Sequence, residues 1–112
     1  MTNLIDKLER SSAIRLADAL DYKSGEAVSV SLTQLPNVFM KLLAFDRGTG
    51  LPEHGGKGEA LVCILDGEAE FDICGDKVRV KSGESLVIPS DAPHSVTAIT
   101  PFKMLLTVVG ED

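Results

Sequence analysis

The sequence predicts an all-β protein, a small antiparallel β-barrel preceded by a short helical segment at the N-terminus. From Gly25 onward, apolar and polar residues alternate with the two-residue period of strands that bury one face. Turn signals separate these runs at the spacing of about 8–12 residues that is typical of barrels and sandwiches. The clearest signals are Pro36-Asn37, Asp66-Gly67 and Gly75-Asp76. No long stretch of helical periodicity follows residue 22, which argues against a helical fold.

The N-terminal residues have a different pattern. Leu4, Ile5 and Leu8 recur at helical spacing behind Thr2 or Asn3, and either of these polar residues is a suitable N-cap. We therefore expect a short helix here. Residues 13–22 fit either a further helical turn or an edge strand.

The strands predicted from the alternation are 28–33, 38–45, 60–65, 68–73, 77–81, 86–88, 95–99 and 102–109. In the strand at 60–65, Ala60, Val62 and Ile64 are expected to face the core. Glu59 then lies on the opposite face, because neighbouring side chains in a strand alternate. Asp66-Gly67 is expected to close a hairpin between this strand and the next.

Composition indicates one globular domain spanning residues 1–112. Apolar residues make up 44% of the chain and charged residues 25%, and the net charge is −6. With 11 basic against 17 acidic residues, we expect neither nucleic acid nor a membrane as a partner. Charge at Asp6 and Lys7 interrupts the first apolar residues, so no signal peptide is expected. Cys63 and Cys74 fit no zinc spacing, and reduced thiols in a cytoplasmic protein are the simplest interpretation.

Two glycine-to-histidine spans stand out in the second half of the chain. The first runs from Gly48 through His54 to Gly67. The second runs from Gly83 through Pro89 to His94, with Asp91 at a turn position.

These spans resemble the two motifs of the cupins, which are small jelly-roll barrels, and the resemblance covers residues 40–109. Gly56 stands where the first motif has a second histidine, and Ala60 stands where it has a glutamate. The stretches Glu59-Ala60-Leu61-Val62 and Phe102 to Thr107 are similar to those of short single-domain cupins, of the conserved-barrel type, that have no assigned reaction. The resemblance implies a fold, whereas cupins as a group have many unrelated functions.

In a metal-binding cupin, imidazoles and a carboxylate converge on one cation. The resemblance therefore makes His54 and His94 candidate ligands for a divalent metal such as Mn, Fe, Ni or Zn. Glu59 is a candidate third ligand only if Gly58 permits a bulge that turns its side chain inward. The alternative is that the protein holds no metal. His54 is then a loop residue on the barrel rim, and His94 bonds a neighbouring hydroxyl such as that of Ser95 or Thr97.

Several large apolar side chains are expected to pack the barrel, and some to line its mouth. The candidate pocket residues are Met40, Phe45, Ala60, Val62 and Met104. Lys41 and Lys103 interrupt apolar strands, and each fits either a side chain that reaches solvent or an inward cation that recognises an acidic ligand.

Three functions fit these residues. The first is a binding module that holds a small molecule, or a weakly bound metal, through His54 and His94. The second is a metal-dependent enzyme of the oxygenase, isomerase or decarboxylase type acting on a small polar metabolite. The third is a metal-free enzyme that uses a histidine as proton carrier. We also expect a homodimer formed by the N-terminal segment and the strands from Val28 onward, because cupins are commonly dimeric and exposed strands favour pairing.

Overall fold

The computed structural model describes residues 4–110, with the exception of the His54 side chain. Within that range the chain forms one 3-10 helix, Leu16–Asp18, and nine strands. The strands are β1 (Ala27–Leu35), β2 (Val38–Phe45), β3 (Gly50–His54), β4 (Glu59–Asp66), β5 (Glu68–Ile73), β6 (Asp76–Lys81), β7 (Ser85–Ile88), β8 (His94–Ala98) and β9 (Phe102–Val109). The prediction of an all-β fold is confirmed.

The strands form two antiparallel sheets. The five-stranded sheet has the order β1-β2-β9-β4-β7, and the four-stranded sheet has the order β3-β8-β5-β6. The core lies between them and includes Leu43, Phe45, Val62, Ile64, Phe71, Val96, Phe102 and Met104. Phe45 and Phe102 stack with their ring centroids 4.5 Å apart and their planes 3° from parallel. These rings fill one end of the barrel.

Two of the predicted turns join paired strands. Pro36 and Asn37 connect Leu35 to its partner Val38, so β1 and β2 form a hairpin with a two-residue loop. The second hairpin joins β5 to β6 through Cys74 and Gly75, which have φ values of 53° and 90°. Positive φ at both loop residues matches the right-handed twist of the flanking strands.

The hairpin predicted at Asp66-Gly67 is wrong. β4 pairs with β7 and β9, whereas β5 pairs with β6 and β8, so the chain passes from one sheet to the other at this point. Gly67 has a φ of 77°, and a Cβ here would overlap the carbonyl oxygen of Pro101. The glycine is therefore required by a barrel corner. A turn dipeptide indicates where the chain bends but not which sheet the next strand joins.

A short helical segment is present near the N-terminus, within the residues 13–22 that fit either a further helical turn or an edge strand, whereas the helix expected from Leu4 to Leu8 is not formed. Residues 4–8 are irregular, the helical turn lies at Leu16–Asp18, and the proposed caps Thr2 and Asn3 lie outside the described residues. The Asp6 amide donates to the Leu32 carbonyl at 2.7 Å, and the Thr33 hydroxyl donates to the Leu4 carbonyl. These bonds give the Asp6 amide and the Leu4 carbonyl partners in β1, so neither group depends on a helix for its hydrogen bond.

The N-terminal segment is held against the outer face of the five-stranded sheet. Lys103 donates to the Ala17 carbonyl at 2.5 Å, and its Nζ lies 4.8 Å from the centroid of the Tyr22 ring. The Tyr22 hydroxyl donates to Asp66 at 2.5 Å. Burial, followed by this hydrogen bond and the Asp66 charge, raises the pKa of Tyr22 above its usual value. Lys103 therefore faces the N-terminal segment and not the barrel interior.

Candidate functional site

A cavity of about 170 Å³ lies at the end of the barrel away from the stacked phenylalanines. Its lining is mostly apolar. The lining residues are Phe39, Gly56, Lys57, Gly58, Ala60, Ile88, Pro89, His94, Leu106 and Val108. Phe39 lies near the start of β2 and Val108 near the end of β9, whereas Phe45 and Phe102 occupy the opposite ends of these strands.

Strand register explains why these distant residues meet. β9 lies between β2 and β4, with Val108 opposite both Phe39 and Ala60. Ala60 is in turn opposite Ile88 of β7. Residues directly opposite in antiparallel strands share a face, so these four form one row across the inner surface of the sheet. His94, on the four-stranded sheet, provides the opposing wall.

His94 is the first residue of β8 and is partly buried. Its Nδ1 lies 2.8 Å from the carbonyl oxygen of Ala92. A carbonyl only accepts, so Nδ1 carries the proton, and in the neutral ring the lone pair is on Nε2. This tautomer suits an imidazole that accepts a hydrogen bond or coordinates a cation through Nε2. The partner seen here is a backbone carbonyl, in place of the Ser95 or Thr97 hydroxyl considered from the sequence.

His54 ends β3, and its backbone lies directly opposite that of His94 in the β3–β8 pair. The two histidine positions are therefore brought together, and the interpretation of His54 as a loop residue is wrong. The register shifts between Leu51 and His54, a segment that includes Pro52. Proline has no N–H to donate, so it is tolerated on an edge strand such as β3. This strand was not predicted from the sequence, because Gly50 and Pro52 are both residues that typically interrupt strands.

The carboxylate position of the family motif is occupied by a methyl group. Ala60 is 9% exposed and faces the cavity, while Glu59 is exposed on the opposite face of β4. Gly58 has a φ of 92°, yet exposed and buried residues alternate without a slip from Glu59 to Ile64. The expected outward orientation of Glu59 is confirmed.

The described donors at the cavity do not make up a divalent metal site. Among the side chains that the structure describes, no three histidine, cysteine, aspartate or glutamate residues are grouped so that they could hold one. A stable divalent site needs three or more such donors. The carboxylate is missing because Ala60 stands at its position and Glu59 faces outward. The second histidine of the motif is missing because Gly56, which has no side chain, stands at its position.

The candidate pocket residues lie in three different places. Ala60 lines the cavity. Phe45, Val62 and Met104 are each at most 2% exposed and pack the core. Met40 is half-buried and opposite Thr33 and Thr107, on the outer face of the sheet. Phe39 is one of the large apolar side chains expected to pack the barrel or line its mouth, whereas Ile88, Leu106 and Val108 were not singled out from the sequence. Ile88, directly before Pro89 of the second motif, carried a usable signal, but Leu106 and Val108 depend on the β2–β9 register.

The loop at residues 55–58 forms the rim of the cavity and is tied to the turn before β8. The Asp91 amide donates to the Gly56 carbonyl at 2.8 Å, and the Gly58 amide donates to the Ser90 hydroxyl at 3.1 Å. Asp91 has a φ of 63°, as its glycine-like turn position in the second motif implies. Lys57 projects from this loop, is exposed and lines the cavity.

Lys41 lies on the inner face of the five-stranded sheet. It is directly opposite Leu106, which lines the cavity, and is half-buried. Its Nζ is 5.8 Å from the centroid of the Phe39 ring, and Phe39 forms part of the cavity wall. A lysine in this position places a cation beside the aromatic wall.

The fold and the cavity together define a small antiparallel β-barrel with a mostly apolar cavity at one end. The family model of the cupin domain matches residues 41–109 of the sequence, and the chain belongs to this family. The prediction made from the glycine, proline and histidine spacing is confirmed. No helix in the described part of the chain is long and apolar enough to cross a membrane.

Three solved structures are similar to this chain. A conserved protein of unknown function from Streptococcus pyogenes is 29% identical, with a TM-score of 0.95 over 99% of this chain and 97% of that one. A cupin superfamily protein from Desulfitobacterium hafniense is 24% identical, with a TM-score of 0.91 over 96% and 98%. A cupin 2 conserved barrel domain protein from Leptotrichia buccalis is 40% identical, with a TM-score of 0.83 over 86% of this chain and 47% of that one. No curated protein matches the chain.

Proposed function

We propose that this cupin binds a small molecule in the cavity beside His94, with His54 contributing from the adjacent strand. The observation that carries the proposal is the convergence of an apolar cavity of about 170 Å³ on one oriented imidazole. An apolar cavity of roughly 150 Å³ is large enough to admit a benzene ring. A mostly apolar pocket with a few convergent polar groups is the usual form of a ligand site.

The position of Ala60 supports binding over metal-dependent catalysis. A glutamate there would occupy part of the cavity and supply a metal ligand, whereas alanine leaves space and no donor. His94 then acts as a hydrogen-bonding group for the ligand. Its Nδ1 donates to the Ala92 carbonyl, and this hydrogen bond fixes the orientation of the ring beside the cavity.

An Ala60→Phe variant is expected to abolish binding of ring-sized probes, because the new side chain fills the cavity from one wall. The probes are toluene, benzyl alcohol and benzoate, titrated while amide chemical shifts of the labelled protein are recorded. Leu61→Phe is the matched control, because Leu61 is the neighbouring residue and is 42% exposed on the outer face. That variant should bind like the wild type. Equal binding to Ala60→Phe and the wild type, or no binding of any probe to the wild type, would contradict the proposal.

We also propose that the protein is a homodimer that uses the outer face of the five-stranded sheet. Leu61 and Val87 are directly opposite each other there and are 42% and 55% exposed. Leu35 and Val109 belong to the same face and are 43% and 53% exposed. Clustered exposed apolar residues are typical of an interface. The N-terminal segment lies against this face as well.

Sedimentation velocity at micromolar concentration tests this association. The wild type is expected to sediment as a dimer, and a Leu61→Glu/Val87→Glu variant as a monomer, because buried unpaired carboxylates oppose association. A variant with glutamate at Val78, which is 37% exposed on the four-stranded sheet, is the control and should remain dimeric. Monomeric wild type would refute the proposal.

A further inference from the structure

We infer that the ligand is a small monocarboxylate whose apolar body, about the size of one ring, fills the cavity and whose carboxylate lies at the mouth near Lys41 and Lys57. This inference rests on the proposed binding function and specifies its ligand. Two observations carry it: the polarity of the cavity walls, and the two lysines next to Phe39, of which Lys57 lines the cavity and Lys41 lines the neighbouring groove.

The interior of the cavity favours an apolar group. One row of its wall consists of Phe39, Val108, Ala60 and Ile88, and Leu106 adds a further aliphatic surface. A charged group buried among these side chains would lose its hydration without compensation. The charged end of a ligand must therefore remain at the mouth.

Lys57 is the charged side chain among the described residues that line this cavity. It comes from the rim loop, whose neighbouring residues Gly56 and Gly58 are hydrogen-bonded to the turn before β8. The loop backbone is thus held in place, while the long lysine side chain remains exposed. An ammonium on a flexible stem is suited to meet an anion at the entrance.

Lys41 supplies a second cation from a neighbouring groove that it lines with Ser31, Gln34 and Phe39, and Phe39 belongs to the walls of both the groove and the cavity. Its partner Leu106 and its neighbour along the inner face, Leu43, are both apolar, so a lysine here is unusual for a position that only packs the barrel. Among the described residues, the lysines and arginines in ion pairs are Lys23, Lys77 and Arg79. Neither Lys41 nor Lys57 is engaged with a carboxylate of this part of the protein.

Nearby acidic residues weaken the attraction of the site for an anion, but their side chains do not line the cavity. Glu59 and Asp91 are exposed and line a separate groove on the other side of Lys57. With a net charge of −6, the protein does not attract anions over long distances. Binding should therefore depend on local contacts and weaken as the salt concentration rises.

The experiment compares benzoate with benzyl alcohol, which has the same ring and no charge, by amide chemical-shift titration of the full-length protein. The wild type is expected to bind benzoate about 10-fold more tightly than benzyl alcohol, which corresponds to about 1.4 kcal/mol. A Lys41→Met/Lys57→Met variant should lose this preference and keep its affinity for benzyl alcohol, because methionine retains the apolar stem without the charge.

The control is Lys77→Met/Lys81→Met, which makes the same change in net charge on β6 of the other sheet. It should retain the preference for benzoate. Equal affinities of the wild type for the two probes, or an unchanged preference in the Lys41/Lys57 variant, would overturn this inference and leave the binding function intact. If neither probe binds the wild type, both proposals fail.

Discussion

A Gly56→His/Ala60→Glu variant is expected to bind one divalent metal ion per chain, such as Mn²⁺ or Ni²⁺. Gly56, Ala60 and His94 line the same cavity, and the backbone of His54 lies directly opposite that of His94. The two substitutions add an imidazole and a carboxylate at the positions where the family motif has them. Two histidines alone hold a metal weakly, whereas three or four converging donors hold it well.

Elemental analysis and thermal unfolding test this expectation. Without metal the variant should be less stable than the wild type, because the Ala60→Glu substitution introduces a carboxylate into a buried apolar row where it lacks a partner. At a metal concentration of about 100 times Kd, the free energy of unfolding of the variant should rise by about 2.7 kcal/mol. For a domain of this size that raises Tm by roughly 10 °C.

The wild type and a Gly56→His/Leu61→Glu variant are the controls for the metal experiment. Leu61 faces outward, so a carboxylate there cannot reach the cavity. Both proteins should contain far less than one metal per chain. A folded Gly56→His/Ala60→Glu protein that takes up no metal would show that this barrel mouth cannot assemble the site. One metal ion per chain in the wild type would show that donors at other positions complete a metal site without substitutions at Gly56 and Ala60.

The second large effect is on stability, at the corner between the two sheets. Gly67→Ala is expected to lower the free energy of unfolding by roughly 3 kcal/mol. Alanine is strained at a φ of 77°, and its Cβ would overlap the carbonyl oxygen of Pro101. Because Pro101 precedes β9, the central strand of the larger sheet, relief of this overlap requires backbone movement.

Gly25→Ala separates the two causes. Gly25 has a similar φ of 74°, but a Cβ there has no atom within 4 Å. Only the conformational strain applies, so this variant should lose about 1 kcal/mol. Chemical denaturation of both variants measures the difference. Equal losses would mean that the corner has room for a methyl group and that φ alone explains the glycine.

Alternation along the chain predicted the parts of the fold that depend on burial of one face. Ala60, Val62 and Ile64 alternate with exposed or half-buried neighbours, so the inward Ala60 and the outward Glu59 follow from the strand period. The turn between β1 and β2 was also predictable from local sequence, because Pro36 and Asn37 separate two runs with a clear strand pattern. The family motifs then located Pro89 and His94 at the barrel mouth.

Features that depend on long-range pairing were not predictable in the same way. An Asp-Gly turn such as Asp66-Gly67 looks the same in the sequence whether it closes a hairpin or turns the chain from one sheet to the other. Only the pairing of β5 with β8 distinguishes the two cases. β3 was missed because Pro52 is a strand breaker except at an edge. Phe39 is assigned to the cavity by its register with Val108, a partner far along the chain.

The stack of Phe45 and Phe102 fills the end of the barrel opposite the cavity. Under the proposed binding function, a ligand therefore enters and leaves at the cavity end, where the loop that carries Lys57 forms the rim. Hydrogen bonds tie this loop to the turn before β8, so any movement of the loop that admits or releases a ligand has to break them. A change that only slows the loop would lengthen residence time and delay binding by the same factor, with Kd unaltered. Affinity and exchange rate are thus governed by different parts of this small protein.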